Sequence, residues 1–296
     1  MAVTPPAVCE QRRHLPLTSI LQLLSIIIMM LLFPRTAVRA MVTSSSSSSV
    51  INHLLHRNEK LTQSYYALRH GQSLANVEKI ISSDPQISTV QHGLSDMGKL
   101  QARKAGEMFM EDYHHTDTAD DYEGVAIFSS DFTRARETAS IFAKSLSSSS
   151  QSPQIPIYNN DIVLETKLRE RYFGTLNGGP DTRYQSVWDI DCTDPDHEEY
   201  DVESANSVLE RTTRLICDLD DMLSSSATTS TTTTTTSSTL ENDHEGDGKK
   251  KKKWKVILVA HGDVLQILQT GFLLHEDASK HRSLDHLETA TIRKLY

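Results

Sequence analysis

The 296-residue chain is most informative first for what it lacks. It has three cysteines, Cys9, Cys192 and Cys217, with no Cys-x-x-Cys pair and no zinc-ligand spacing. A disulfide-dense scaffold is therefore excluded. Cys192 and Cys217 read as free thiols, although a bridge between them also satisfies the count. No metal site is visible in the pattern of ligand types. Excess positive charge is missing too: the formal net charge is −9, against the basic face that a general nucleic-acid binder needs to neutralise phosphates. A local basic pocket is still compatible with that total. The chain has no Asn-x-Ser/Thr sequon, so glycosylation lends no support to secretion. No internal repeat is present. The 13 histidines are scattered, and His114-His115, in an acidic stretch, reads as a solvated turn.

At 38% hydrophobic and 23% charged residues, the chain can bury a core. Residues 1–40 read as a targeting segment. Arg12 and Arg13 precede an uncharged, Leu/Ile/Met-rich run from Leu15 to Phe33, which Pro34 ends. Val38-Arg39-Ala40 then places small residues where a signal peptidase would cut. The run is long for a signal-peptide core and just long enough to span a bilayer. A cleaved signal peptide, an uncleaved membrane anchor, organellar import and a start at Met41 are the readings open here. They place the protein in the secretory pathway, on a membrane, or in an organelle. Residues 41–62 form a linker, with Ser44 to Ser49 at its centre. The expected domain covers 63–296. Inside it, about 224–253 combine a Ser/Thr tract, an acidic patch (Glu241, Asp243, Glu245, Asp247) and the run Lys249 to Lys253. Such a segment cannot bury a core and is expected to be a disordered surface insert.

Between these landmarks, strand-like and helix-like segments alternate. Short apolar runs at Tyr65–Leu68, Val125–Phe128, Ile155–Tyr158 and Val256–Ala260 have the length and content of buried strands. Ser95 caps a helical pattern carrying Met97, Leu100, Ala105 and Met108. A second helix runs from about Phe132 to Leu146. A third carries Val208, Thr212, Leu215, Leu219 and Met222, and a fourth follows Asp263. The alternation predicts an α/β fold: a three-layer α/β/α sandwich around a mostly parallel sheet.

Two of the strand-like runs end alike. Tyr-Tyr-Ala-Leu-Arg69-His70-Gly71 and Val-Ile-Leu-Val-Ala-His261-Gly262 each carry an apolar strand into His-Gly. Ligands of open α/β sheets bind beyond the carboxyl ends of the strands, so parallel neighbours would bring both imidazoles to one rim. Arg69 is adjacent to the first histidine, and a guanidinium at a buried strand end calls for an anion. The segment Ile127-Phe-Ser-Ser-Asp-Phe-Thr-Arg134-Ala-Arg136-Glu-Thr138 reads as strand, turn and helix, with Arg134 near the same rim. Arg136 should face elsewhere, toward Glu137 or another acid. In the Gly-rich loop Leu168-Arg-Glu170-Arg171-Tyr-Phe-Gly174, Glu170 is a carboxyl that could act as a general acid if its pKa were raised.

Together these motifs resemble the histidine phosphatase (phosphoglycerate mutase-like) superfamily, in order and in spacing, across most of 65–296. The opening Arg-His-Gly-(Glu/Gln)-Ser/Thr-x-x-Asn is matched by Arg69, His70, Gly71, Gln72, Ser73 and Asn76. Ser130, Arg134, Ala135, Thr138 and Ala139 match the second motif. Leu168, Glu170 and Gly174 match the third, and His261-Gly262 the fourth. The resemblance implies that His70 becomes phosphohistidine and that Glu170 protonates the leaving oxygen. It also implies that Arg69, Asn76, Arg134 and His261 hold the phosphoryl group. Neither a cofactor nor a metal is implied, and the expected partner is a small phosphorylated substrate.

The superfamily holds both phosphatases and mutases. Where cofactor-dependent mutases usually carry Trp before the Asn, and Tyr then Lys in the Glu loop, this chain has Ala75, Phe173 and Asp181. An Asp in place of Lys would repel the carboxylate of a phosphoglycerate, which favours a phosphatase acting on a phosphomonoester. Mutase-type transfer and a catalytically inactive binding protein on the same fold are the alternatives. Specificity is expected from residues 77–93 and 172–203. The second of these is acidic (Asp189, Asp191, Asp194, Asp196, Glu198, Glu199) and suits a phosphorylated group on a neutral or basic carrier. Oligomeric state is not encoded in any pattern seen here.

Overall fold

The structure, a computed structural model, describes residues 51–115, 121–146, 154–226 and 253–296. The targeting segment, the Ser-rich stretch up to residue 50 and most of the 224–253 insert lie outside them. No described helix is long and apolar enough to cross a membrane. Of the insert, Ser224 to Ser226 end a helix and Lys253 opens a strand.

Five strands form one sheet: β1 (Ser64–Arg69), β2 (Tyr122–Ser129), β3 (Val163–Leu164), β4 (Lys253–Ala260) and β5 (Ile292–Lys294). Their spatial order is β3-β2-β4-β1-β5. β1, β2, β3 and β4 are mutually parallel, and β5 runs antiparallel along β1. The helices are α1 (Leu74–Glu78), α2 (Pro85–Ser88), α3 (Asp96–His115), α4 (Thr133–Leu146), α5 (Tyr184–Asp191), α6 (Ala205–Ser226) and α7 (Gly262–Phe272).

Period-two alternation builds both faces of the sheet. Tyr65, Ala67, Ala126, Phe128, Val256 and Leu258 point to one side, where Val208, Leu209, Leu215 and Ile216 of α6 and Val264, Leu265 and Leu268 of α7 pack on them. Leu68, Val125, Ile127, Ile257 and Val259 point to the other, against Ala105 and Phe109 of α3 and Ala135, Ala139 and Phe142 of α4. The result is the expected three-layer sandwich. A third, smaller cluster (Ile81, Phe173, Leu176, Val187, Val202) packs the two long loops against each other beyond the strand ends.

Several local expectations change. Ile155–Tyr158 is not a strand: only Ile157 bridges to Val125, because the chain turns at Asn159 and Asn160, both at positive φ. Asparagine tolerates that conformation better than most residues. The next strand is the two-residue β3. In α3, Ser95 does cap the helix, its Oγ accepting from Gly98 N at 3.1 Å. The buried stripe, however, is Ala102, Ala105, Phe109 and Tyr113, while Met97, Leu100 and Met108 face solvent. His114-His115 are the last residues of α3 rather than a turn.

Residues 51–62 are not linker but packed chain. Asn52 and Leu54 are buried. Asp220 of α6 accepts hydrogen bonds from Thr62 N, Gln63 N, Thr62 Oγ1 and Tyr65 Oη, and Arg57 pairs with it at 3.2 Å. One buried carboxylate thus ties the entry segment to α6.

Candidate active site

Strand register puts the chemistry at one rim. Arg69 is opposite Ala260, so His70 and His261 follow side by side, and His70 N donates to Ala260 O at 3.0 Å. On the other flank of β4, Ser130 N donates to Val259 O at 2.9 Å. His70, His261 and Ser130 therefore leave three adjacent parallel strands at their carboxyl ends. Two glycines allow the loop after His70 to lie against the start of α3. A Cβ on Gly71 would meet Gly98 O at 2.5 Å, and one on Gly98 would meet Gln72 O at 2.1 Å.

A cavity of about 300 Å³ opens at this rim, lined among others by Arg69, His70, Asn76, Arg134 and Glu170. The hydrogen bonds of His70 define its tautomer. Nδ1 is 2.7 Å from Gly71 O, which can only accept, so Nδ1 carries the proton. Arg134 Nε, which can only donate, lies 3.2 Å from Nε2, so Nε2 carries the lone pair. Burial, then the charges of Arg134 and Arg69, hold this imidazole well below its ordinary pKa. A neutral, oriented imidazole is the outcome.

Arg134 is itself held by the first long loop, its Nη2 donating to Ser82 O at 2.9 Å. Arg69 donates through Nη1 to Leu287 O and to His286 Nε2, both at 2.8 Å, while its buried Nε has no partner among the described residues. Gly262 gives the Arg69 guanidinium its place, since a Cβ there would come within 3.2 Å of Cζ. Glu170 is 9% exposed, and its Oε1 accepts from Arg171 N at 3.1 Å. Burial, aided by the negative charge of Asp263, pushes its carboxyl up to about 7.

His261 and Asn76 sit differently from expectation. His261 is fully buried beneath His70, with ring centroids 5.2 Å apart, and does not line the open cavity. Its Nε2 is 2.9 Å from Ser130 Oγ, and its buried Nδ1 has no partner among the described residues. Burial, then Arg134 and His70, hold it well below its ordinary pKa, so it is neutral. Asn76 does line the cavity, but its Oδ1 closes a capping box on Ser73 at the start of α1, accepting from Ser73 N at 3.0 Å. Only its amide N–H donors are left to meet a ligand. Arg136 makes no ion pair among the described residues; Glu137 instead accepts from Leu94 N at 2.6 Å.

The acidic loop is redistributed as well. Asp194, Glu198 and Glu199 surround a separate surface hollow, not this cavity. Asp191 is wholly buried, accepting two hydrogen bonds from Arg171 (2.7 and 2.9 Å), one from His197 (2.9 Å) and one from His281 (3.1 Å). This network stands behind Glu170, because Arg171 is the next residue. Beyond the motif residues, the cavity is lined by Asp181, Asp263, Tyr184, Trp188, Arg282 and His286, among others. Of these, Asp181, Tyr184 and Trp188 fall within the 172–203 stretch expected to set specificity. Arg282 and His286 belong to the C-terminal segment, which no pattern marked.

Comparisons with known proteins define the family and the fold. The sequence matches the histidine phosphatase superfamily (branch 1) over residues 65–228, more than half of its 296 residues, and the chain belongs to that superfamily. Among solved structures, it is similar to a mycobacterial glucosyl-3-phosphoglycerate phosphatase in complex with VO3, at 20% identity and a TM-score of 0.53, covering 78% of this chain and 89% of that one. It is likewise similar to a structure titled mycobacterial hydrolase 2, at 20% identity and a TM-score of 0.52, over 78% and 80% of the two chains. At such identity these likenesses speak to the fold. No curated protein matches the sequence.

Proposed function

We propose that the protein is a metal-independent phosphatase that hydrolyses a small phosphomonoester through a phosphohistidine on His70. The observation that carries this reading is the state of His70 Nε2: an unprotonated nitrogen, buried, beside a guanidinium, at a cavity that also holds a raised carboxyl.

The steps follow from those groups. A phosphoryl dianion enters against Arg69 and Arg134, whose donors match its oxygens. The orphaned Nε of Arg69 gains its missing partner there. Nε2 of His70 attacks phosphorus, and the P–O bond to the carrier breaks with its electron pair going to the carrier oxygen. Glu170, protonated near neutral pH, gives that oxygen its proton. A water molecule then attacks the phosphoryl group, its proton passing to the Glu170 carboxylate. The P–N bond breaks, phosphate leaves, and both residues regain their starting states. Charge on the equatorial oxygens is stabilised by the two guanidiniums. Asp181 lines the cavity at the position where the related mutases carry Lys, which favours hydrolysis over transfer to a phosphoglycerate.

The test is hydrolysis of p-nitrophenyl phosphate by residues 51–296 in the presence of a metal chelator. Activity that resists the chelator and disappears in His70→Ala is expected. Activity abolished by the chelator and restored by a divalent cation would refute the reading.

A further inference from the structure

The cavity wall beside Arg134 holds a hydroxyl with more neighbours than hydrogens. Ser82 lines the cavity and is buried. Its Oγ is 2.8 Å from Ser88 Oγ, at the end of α2, and 2.8 Å from His92 Nδ1. Arg134 Nη1 lies 3.5 Å from the same oxygen, while Arg134 Nη2 donates to Ser82 O. That guanidinium also reaches His70 Nε2 through its Nε. Ser82 is thus one contact away from the arginine that faces the nucleophile, and His92 is one contact further out.

His92 sits in a backbone conformation that few side chains adopt. Its φ is 52°, in the left-handed region, where histidine is tolerated better than most residues but glycine best. The chain just after it is fixed at two points. Leu74 N donates to Gly93 O at 2.9 Å, and Glu137 accepts from Leu94 N at 2.6 Å. A held loop therefore presents the ring to Ser82. The hydrogens around Ser82 can be counted. Its Oγ has one hydrogen and two lone pairs. When His92 Nδ1 carries a proton, it and the Ser88 hydroxyl fill both lone pairs, and the Ser82 hydrogen is left for the cavity. When Nδ1 is bare, Ser82 donates to the ring and has nothing to offer a phosphoryl oxygen. An anion in the cavity selects the first form. His92 reaches that form by exchanging tautomers, or by taking a proton from solvent. The charged groups bonded to this cluster and its loop are Arg134, through Ser82, and Glu137, through Leu94 N.

We propose that His92 is a positioning residue for phosphoryl binding: its Nδ1–H donates to Ser82 and so turns the Ser82 hydroxyl, beside Arg134, toward a phosphoryl oxygen. This rests on the cavity being the phosphoryl site, as in the reading above. The test is calorimetric binding of inorganic phosphate to the full chain, which needs no turnover. His92→Phe keeps a ring but has no donor, and its Kd should rise roughly tenfold, the effect of one charge-assisted hydrogen bond. In a Ser82→Ala background the same substitution should change Kd by less than about twofold, because the hydroxyl that carries its effect is gone. His92→Asn and His92→Asp both suit the left-handed backbone, so they separate the bond from the fold. Asn offers an N–H near the place of Nδ1 and should recover most of the affinity, whereas ionised Asp only accepts and should not. The gap between these two should shrink when Ser82 is alanine. An unchanged Kd in His92→Phe, an equal loss with and without the Ser82 hydroxyl, or Asp restoring affinity as well as Asn would overturn the proposal and leave the phosphatase reading standing. The expected binding pattern without hydrolysis of any phosphomonoester would refute the phosphatase reading and leave the role of His92 standing. Failure of the wild type to bind phosphate would refute both.

Discussion

Replacing Asp191 by Asn should unfold the domain far more easily than a one-atom change suggests. Both Arg171 and Asp191 have side chains at 0% exposure. A carboxylate only accepts, and this one receives four hydrogen bonds, two on each oxygen. Both imidazoles must therefore present Nε2–H to it. In Asp191→Asn one oxygen becomes an NH2 group that faces an Arg171 donor and a histidine donor. The Arg171 charge stays buried with only Asp263, at 3.4 Å, as an ionic partner. Removing one member of a buried pair typically costs about 3–5 kcal/mol. For a domain of this size that corresponds to a fall in Tm of about 10 °C. Thermal unfolding followed by circular dichroism measures it. The double change Arg171→Met/Asp191→Leu should lose less than Asp191→Asn alone, since the buried guanidinium then leaves together with its main partner and Asp263 keeps the Trp188 N–H. The pH dependence has a defined sign. Burial alone would raise the Asp191 carboxyl, but the hydrogen bonds from His281 and Arg171 more than reverse this and hold it well below the usual carboxylate range. A depressed folded pKa contributes stability that is present above the unfolded value of about 3.9 and drains away as pH falls below it. A Tm within about 3 °C of wild type at neutral pH, or a single variant more stable than the double, would refute this account of the network.

The proton donor and the entry segment give two further expectations. If Glu170 with its carboxyl at about 7 supplies the proton, kcat/KM for an alkyl phosphate falls as pH rises through that value, because the acid form is lost. Glu170→Gln should remove this alkaline limb and slow alkyl esters by roughly 10²–10⁴-fold, with a much smaller effect on p-nitrophenyl phosphate, whose leaving group needs no proton; a pH–rate series on both substrates reads it. Asp220→Ala should release residues 51–62 from α6, because five groups lose one shared acceptor. Limited proteolysis should then cut in this segment before the sheet is lost, while Asp218→Ala, whose carboxylate pairs with the exposed Lys167, should change little.

What could be read from sequence was whatever is local or strand-like. β1, β2 and β4 announce themselves as β-branched and aromatic runs, and the two His-Gly endings share a rim because their strands pair in parallel register. Arg69, His70, Arg134 and Glu170 meet at one cavity as their motifs implied. What could not be read depends on partners far along the chain. Asp191 looks like a surface acid until Arg171, His197 and His281 close over it from 20, 6 and 90 residues away. Arg69 meets His286 across 217 residues, so the C-terminal wall of the cavity left no local signature. β5, at three residues, is too short for any periodicity to register. Residues 51–62 look like linker because their anchors are polar: backbone N–H groups and one arginine converging on Asp220. In α3 the apolar residues outnumber the buried positions, and only the neighbouring α4 decides which stripe is covered.

The most direct test of the central claim is to trap the covalent intermediate. Residues 51–296 would be mixed with an excess of a phosphomonoester, quenched in alkali within milliseconds, and mapped by mass spectrometry. The account predicts an alkali-stable, acid-labile phosphoryl group on His70, absent in His70→Ala and longer-lived in Glu170→Gln when the substrate is p-nitrophenyl phosphate. Hydrolysis proceeding at an undiminished rate in His70→Ala, or a phosphoryl group found on another residue, would contradict it.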